Sequence, residues 1–147
     1  MTRTREHRKR KKRATRASYI VFISHSSSDS WIADRVAEKV KLAGAETWID
    51  RRDLKAGDVI VEEIIKGIDA CHEALVLVSP GSVKSQWVLY EIGAVSGQHK
   101  RVTPVLIHVR REAIIPTKGV KAIDLNEFDQ FLLQLQKRVE DWERQGQ

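Results

Sequence analysis

Glu91 is the only acid between Glu73 and Glu112, and it stands among apolar neighbours in Ser85-Gln86-Trp87-Val88-Leu89-Tyr90-Glu91-Ile92. If this stretch is helical, the four-residue spacing puts Trp87 and Glu91 on one face, with the carboxylate against an aromatic wall rather than in bulk water. That is a costly place for a charge. An acid kept in an apolar cleft can bind substrate hydroxyls or hold positive charge while a bond breaks. The plain alternative is a helix-surface glutamate near an exposed tryptophan.

Other polar candidates sit where apolar runs end: Ser24-His25-Ser26 after one run, Asp50 after a second, Ser79 after a third. A metal has no obvious ligands. Cys71 is the single cysteine, and His7, His25, His72, His99 and His108 show no HExxH or similar spacing.

The elements that must position these groups alternate short apolar runs with helix-length amphipathic segments from Ser18 onward, the pattern of a parallel α/β sheet. Tyr19–Ser24 reads as a first strand, apolar on both faces. The polar stretch His25–Ser30 offers Ser28 or Asp29 as a helix N-cap, Ile32, Val36, Val40 and Ala43 mark one helical face, and Gly44 is the stop. Ala45–Ile49 is a shorter second strand, followed by the charged loop Asp50–Gly57. Asp58 caps a helix with a core face of Val61, Ile64, Ile65 and Ile68. Ala74–Ser79 is the third strand, ended by Pro80-Gly81, and the helix carrying Glu91 runs from about Val83 to Gln98. The fourth strand, Val102–Val109, contains Pro104, which places it near an edge or delays its start. Val120–Asp124 is a short fifth strand, and a closing helix from about Glu127 to Arg144 buries Phe128, Phe131, Leu132, Leu135 and Val139.

The expected fold is α/β: one flavodoxin-like domain over residues 18–144, its five-stranded parallel sheet in the order 2-1-3-4-5 and flanked by helices. In that order the chain reverses direction between strands one and three, and open α/β sheets bind ligands beyond the carboxyl ends of strands at such a switch point. Ser24, His25, Ser26 and Ser79 fall there. Asp50 overhangs the same edge, and Glu91 lies on the helix that leaves strand three.

A length of 147 residues with 41% hydrophobic content fits a single packed core. The net charge of +6 is uneven: residues 1–17 carry nine Lys/Arg and one Glu, whereas the rest carries 17 basic and 19 acidic side chains. The basicity belongs to an arm, read as a disordered tail because it has no apolar run to offset its ordering entropy. The arm either contacts nucleic-acid phosphates or an anionic membrane surface, or is a solubilising extension. No stretch approaches the roughly 18 apolar residues that span a bilayer, so no transmembrane segment is expected and the protein is read as soluble and cytoplasmic.

The chain resembles the Toll/interleukin-1 receptor (TIR) domain family over about residues 18–140. The matching pieces are Phe22-Ile23-Ser24-His25-Ser26 with Asp29, then Thr47-Trp48-Ile49-Asp50, Leu54-Lys55-Ala56-Gly57-Asp58, Leu77-Val78-Ser79-Pro80 and Ser85-Gln86-Trp87-Val88-Leu89-Tyr90-Glu91. Each is weak alone; five in register are specific. The resemblance implies cleavage of NAD+ at the nicotinamide glycosidic bond, as in the enzymatic branch, where a glutamate four residues after a Trp or similar residue is catalytic and aligns with Glu91. Animal receptor TIR domains are mostly self-associating adaptors. Where some enzymatic relatives carry a basic pair after the first strand, this chain has His25-Ser26.

The chemistry suits these residue types. Cleavage releases neutral nicotinamide from a cationic pyridinium and needs no general acid, so one carboxylate can stabilise the oxocarbenium-like transition state and its ribose hydroxyls. Glu91 is expected in that role. Trp87 stacks on a ring or is a core aromatic. Ser24, Ser26 and the following helix N-terminus are expected to bind pyrophosphate, or Ser24 is simply a strand end; His25 contacts ribose or phosphate, or is incidental after a strand; Asp50 and Ser79 complete the expected substrate-binding set. No GxGxxG follows the first strand, so NAD+ would be a substrate, not a recycled cofactor. The loop with Asp53, Leu54, Lys55 and Gly57 corresponds to the family's BB loop, which implies a gate and a contact for self-association or for other TIR domains. Two further readings stay open: a non-catalytic TIR adaptor, and a response-regulator-like domain, for which the paired acids of a Mg2+ site are lacking after strand one.

Overall fold

The computed structural model describes residues 17–50, 62–84, 100–114 and 121–146. In chain order it contains β1 (Ile20–Ser24), a 3-10 turn (Ser27–Asp29), α1 (Ser30–Leu42), β2 (Glu46–Asp50), α2 (Glu62–Ala70) and β3 (Glu73–Val78). There follow β4 (Arg101–Leu106), the short α3 (Arg111–Ile114), β5 (Ile123–Asp124), a second 3-10 turn (Leu125–Glu127) and α4 (Phe128–Arg144). The five strands form one sheet in the order β2-β1-β3-β4-β5, every pairing parallel. This is the flavodoxin-like α/β layout that the sequence pattern predicts. The basic arm up to Arg16, and Asp53, Leu54, Lys55, Gly57, Trp87 and Glu91, lie outside the described residues.

The period of two along each strand divides the core into two layers. Val21, Ile23, Leu75, Leu77, Val105 and Ile107 face one side and pack with Ala33, Val36, Ala37 and Val40 of α1 and Phe128, Phe131, Leu135 and Val139 of α4. The opposite face presents Phe22 and Ala74 to Ile68 of α2 and Cys71. Val76, Val78 and Leu106 continue that face with Ala122. Strands covered on both sides read as unbroken apolar runs, which is why alternation is absent from IVFIS and ALVLV.

Edge strand β2 is held by a close approach. Trp48 lies 4.7 Å from Phe22, ring to ring, and directly over Gly67, where a Cβ would come within 1.5 Å of the indole. Pro104 finds a place inside β4 for a reason the register supplies. Ile107 N–H bonds to Val78 O of β3, so by alternation the nitrogen of residue 104 faces the β5 side. Among the described residues β5 pairs with β4 only at Val105 and Leu106, beyond the proline, so its missing N–H breaks no ladder bond there.

Several boundaries differ from the sequence pattern. β2 runs one residue later than Ala45–Ile49, β4 stops at Leu106 instead of Val109, and β5 is two residues long. His108, at φ 53°, turns the chain out of the sheet. Asp29 occupies the N-cap position of α1, yet its side chain makes no capping bond; it is used elsewhere.

β3 begins one residue before the apolar run, at Glu73, whose side chain is fully buried. Arg138 of α4 grips it bidentately, Nε to Oε2 at 2.9 Å and Nη2 to Oε1 at 2.8 Å. The Tyr19 hydroxyl donates to the same Oε2. Burial first, then the bond to Glu73 and its charge, push the Tyr19 phenol far above its ordinary range, so it stays a donor. Tyr19 stacks on His72 at 4.8 Å, and Trp142 closes on His72 edge-on at 4.9 Å. His72 Nδ1 accepts from Ile20 N–H at 2.9 Å, which requires an unprotonated nitrogen. The ammonium of Lys100 donates to Ile68 O at 3.0 Å and to Asp69 O, satisfying last-turn carbonyls of α2 where no C-cap glycine stands.

Two outcomes follow from this lock. Arg138→Ala leaves a buried carboxylate without its cation and should lower unfolding free energy by about 3–5 kcal/mol in urea titrations, far more than an exposed Arg→Ala change. Burial first, then Lys100, lower the His72 pKa in the folded state against the opposing pull of Glu73. The unfolded chain therefore takes up the proton first, so stability is full above pH ~6.5 and falls as pH drops through that value toward the lower folded one. Urea midpoints measured between pH 5 and 8, on the order of the histidine range, should show this loss, and His72→Gln should flatten it.

Candidate functional site

The order β2-β1-β3 sets three strand ends side by side. Ser24 pairs in register with Asp50 on one flank and Val76 on the other, and Ser79 follows three residues beyond Val76. Ser24, His25 and Ser79 are buried, at 3%, 2% and 6% exposure. The structure thus brings Ser24, His25, Ser26 and Ser79 to the carboxyl ends of β1 and β3, with the backbone of Asp50 beside them.

The residue that joins these segments is Asp29, which the sequence offered as a helix cap and as part of a matching motif, with no substrate-site role. Its Oδ2 accepts from Ser26 Oγ at 2.9 Å and from Ser79 Oγ at 2.6 Å. The second bond spans fifty positions and ties the end of β3 to the turn after β1. Proton counting then orders the remaining hydroxyls, because a carboxylate only accepts and each hydroxyl has one proton. With Ser26 donating to Asp29, the 2.9 Å contact between Ser26 and Ser28 has Ser28 as donor. With Ser79 donating to Asp29, the one proton of Ser82 is shared between Ser79 Oγ at 3.0 Å and Ser79 O at 3.4 Å, while Ser82 Oγ accepts from Ser79 N–H at 2.9 Å.

Two consequences bear on ligand binding. The Ser79 proton is committed to Asp29, so this hydroxyl shapes the crevice from within a network. Asp29 also places a carboxylate at the N-cap of α1, the position from which helix N–H groups would bind an anion. The expected pyrophosphate cradle at this helix N-terminus is therefore opposed by like charge.

His25 is the other distinctive group. The Ser26 carbonyl accepts from Asp29 N–H at 3.0 Å and lies 2.6 Å from His25 Nδ1. A carbonyl has no proton to give, so we assign the hydrogen to Nδ1. Nε2 is buried and has no hydrogen-bond partner among the described residues.

Other groups serve packing. Burial raises the Cys71 thiol pKa, and its Sγ donates to Ile68 O at 3.0 Å, so it is no activated nucleophile. Among the described residues no cluster of His, Cys, Asp and Glu is placed to hold a metal ion, and no helix is long and apolar enough to cross a membrane. The groove of about 460 Å³ between α1 and the start of α4, lined by Trp31, Arg35 and Phe128, has none of Ser24, His25, Ser26, Asp29 or Ser79 in its lining.

Comparison with known proteins places this geometry in context. A family model described as "TIR domain" matches residues 21–136. The chain is 30% identical over 102 residues to the 2' cyclic ADP-D-ribose synthase BtTIR of Bacteroides thetaiotaomicron, covering 66% of this chain and 36% of that protein. It is 29% identical over 106 residues to the 2' cyclic ADP-D-ribose synthase AbTIR of Acinetobacter baumannii, covering 69% and 39%. The NAD(+) hydrolase PdTIR of Paracoccus denitrificans matches at 27% over 99 residues, 64% of this chain and 33% of that protein. The chain therefore spans between about a third and two-fifths of the length of these curated relatives. Among solved structures, a metazoan TIR-STING receptor from C. gigas superposes with a TM-score of 0.58 at 19% identity, over 79% of this chain and 38% of that one. A diflavin flavoprotein from Nostoc sp. gives 0.54 at 11%, over 86% and 94%. At these identities the last two speak to fold alone.

Asp29→Ala should strand two hydroxyl donors and uncouple β3 from the turn after β1. The expected loss is about 3–6 kcal/mol of unfolding free energy, the scale of two hydrogen bonds to a charged group, with Asp29→Asn recovering part of it. Chemical denaturation of the three proteins, read together, checks this.

Proposed function

Since the chain belongs to the TIR domain family, we propose that it is an NAD+ glycohydrolase, cleaving the nicotinamide–ribose bond to give nicotinamide and ADP-ribose or a cyclic ADP-ribose. The observation that carries this reading is the family match over residues 21–136, which spans both the β1–β3 crevice and the Trp87-x-x-x-Glu91 spacing. Similarity to proteins named as cyclic ADP-ribose synthases and as an NAD+ hydrolase supports it.

In this reading Glu91 is the catalytic residue. Its carboxylate holds the positive charge that moves from the pyridinium onto the ribose as the bond to nicotinamide lengthens, and accepts from ribose hydroxyls whose hydrogen bonds strengthen as that charge grows. The departing nicotinamide is neutral and needs no proton. Trp87 covers a ring of the substrate and excludes water. Ser24, His25, Ser26 and Asp50 line the crevice, with Ser79 held in place by Asp29. The loop carrying Asp53, Leu54, Lys55 and Gly57 gates the site and meets a second copy, so turnover rises with assembly. Such an enzyme acts inside the cell, in defence or stress signalling.

Nicotinamide release from NAD+ should be measured for wild type and Glu91→Ala across a wide range of protein concentrations. Wild-type activity should rise faster than linearly, and the variant should lose at least about 100-fold at unchanged circular dichroism, the scale of losing one preorganised charge-stabilising group. Glu91→Gln serves as a second, isosteric variant. Undiminished turnover in both variants would remove Glu91 from the mechanism. Silence in wild type at every concentration would favour a TIR module that assembles without catalysis.

A further inference from the structure

We propose that His25 recognises a neutral hydrogen-bond donor of the ligand, a hydroxyl or amino group, through the lone pair on Nε2, and that it is not a phosphate contact. The proposal rests on the NAD+ reading above for the identity of the ligand, and on the structure for its polarity.

Three observations fix that polarity. The 2.6 Å approach of Nδ1 to the Ser26 carbonyl assigns the proton to Nδ1, which leaves Nε2 of the neutral ring an acceptor. That carbonyl is itself held by Asp29 N–H, so the tautomer is set by the turn that starts α1 and not by a rotatable side chain. Nε2 is the one buried side-chain nitrogen or oxygen without a partner among the described residues. A buried acceptor left unpaired costs more than a hydrogen bond returns, so its persistence marks a place where a partner arrives.

Among the described residues the charge around this turn disfavours the anionic alternative. The acid facing this turn is Asp29, joined to it through Ser26, and no described hydrogen bond or ion pair brings Lys or Arg to His25, Ser26 or Asp29. A phosphate would meet a carboxylate and an imidazole lone pair, both acceptors like itself. A ribose hydroxyl, the adenine amino group or the nicotinamide carboxamide N–H2 each supplies the donor that Nε2 lacks. These share one chemistry and differ in source.

The test combines binding and turnover. With imidazole-15N-labelled protein, the Nε2 resonance of His25 should move on adding a non-hydrolysable carbocyclic analogue of NAD+, which keeps the adenine, the ribose hydroxyls and the carboxamide, and inorganic pyrophosphate at equal concentration should leave it in place. His25→Phe should raise KM for NAD+ about tenfold, the scale of one neutral hydrogen bond, with kcat less affected. His25→Gln, which restores an acceptor and guards against a folding defect in the Phe variant, should recover most of that loss. Three analogues sort the source: a ribose-deoxygenated NAD+, the hypoxanthine dinucleotide and the nicotinic acid dinucleotide. The one that removes the partner should bind wild type and His25→Phe equally. A shift driven by pyrophosphate, or a His25→Phe enzyme with unchanged KM, overturns the proposal while leaving the glycohydrolase reading intact. Absent turnover with a shift at Nε2 on adding the NAD+ analogue would do the reverse.

Discussion

A carboxylate shut away from water must be neutralised where it stands, and Glu73 imposes that requirement at the amino ends of the strands. Its two oxygens take Arg138 from α4 and Tyr19 from the residue before β1, so one side chain joins a strand, its neighbour and the closing helix. The pairing of Val21 with Glu73 is the register at which Tyr19 reaches that oxygen. A slip by one residue would break this bond and also turn Val21 and Ile23 to the other layer. The polar lock and the apolar pattern select the same alignment. Parallel pairing then transmits that alignment along β1 and β3 to their carboxyl ends.

There the chain uses a second buried acid differently. Asp29, 8% exposed, is met by hydroxyls, where Glu73 is met by a guanidinium. Pairing with Arg138 makes Glu73 a fixed structural charge with its field largely cancelled nearby. Hydroxyl donors satisfy the lone pairs of Asp29 without cancelling its charge. The amino end of the sheet is thus electrostatically closed, while the crevice at the carboxyl end keeps an uncompensated negative character among the described residues. A site of that sign suits a ligand presenting neutral donors or positive charge, and the pyridinium of NAD+ is the cationic part of the proposed substrate.

How much of this was legible in the residues depends on the range of the interaction. Strand existence and order were readable because burial on both faces writes continuous apolar runs, and the helix faces of α1 and α4 appear at their expected spacing. Boundaries shifted where polar residues continue a strand, as at Glu73, whose acceptability depends on an arginine sixty-five positions away. Asp29 does stand at the N-cap position, but the use of its side chain was hidden for a similar reason. Its position looks like a helix cap, and local spacing cannot show that Ser79 competes for the same oxygen. Pro104 is the converse case. A rule about edges pointed to the right consequence, but the alternation of N–H directions decides which edge matters.

The same dependence runs through to His25. Its tautomer is fixed by a carbonyl, the carbonyl by the Asp29 N–H, and the turn that holds them by the Asp29 carboxylate bridging to Ser79 on β3. Each of these depends on β1 and β3 staying in the register that Glu73 helps to select. A histidine following a strand is ambiguous as sequence, since either nitrogen can donate. Within this fold the ambiguity is removed by backbone geometry, before any ligand is present. The polarity of the crevice is therefore a property of the scaffold, and a substrate must match it in the direction of its hydrogen bonds as well as in shape.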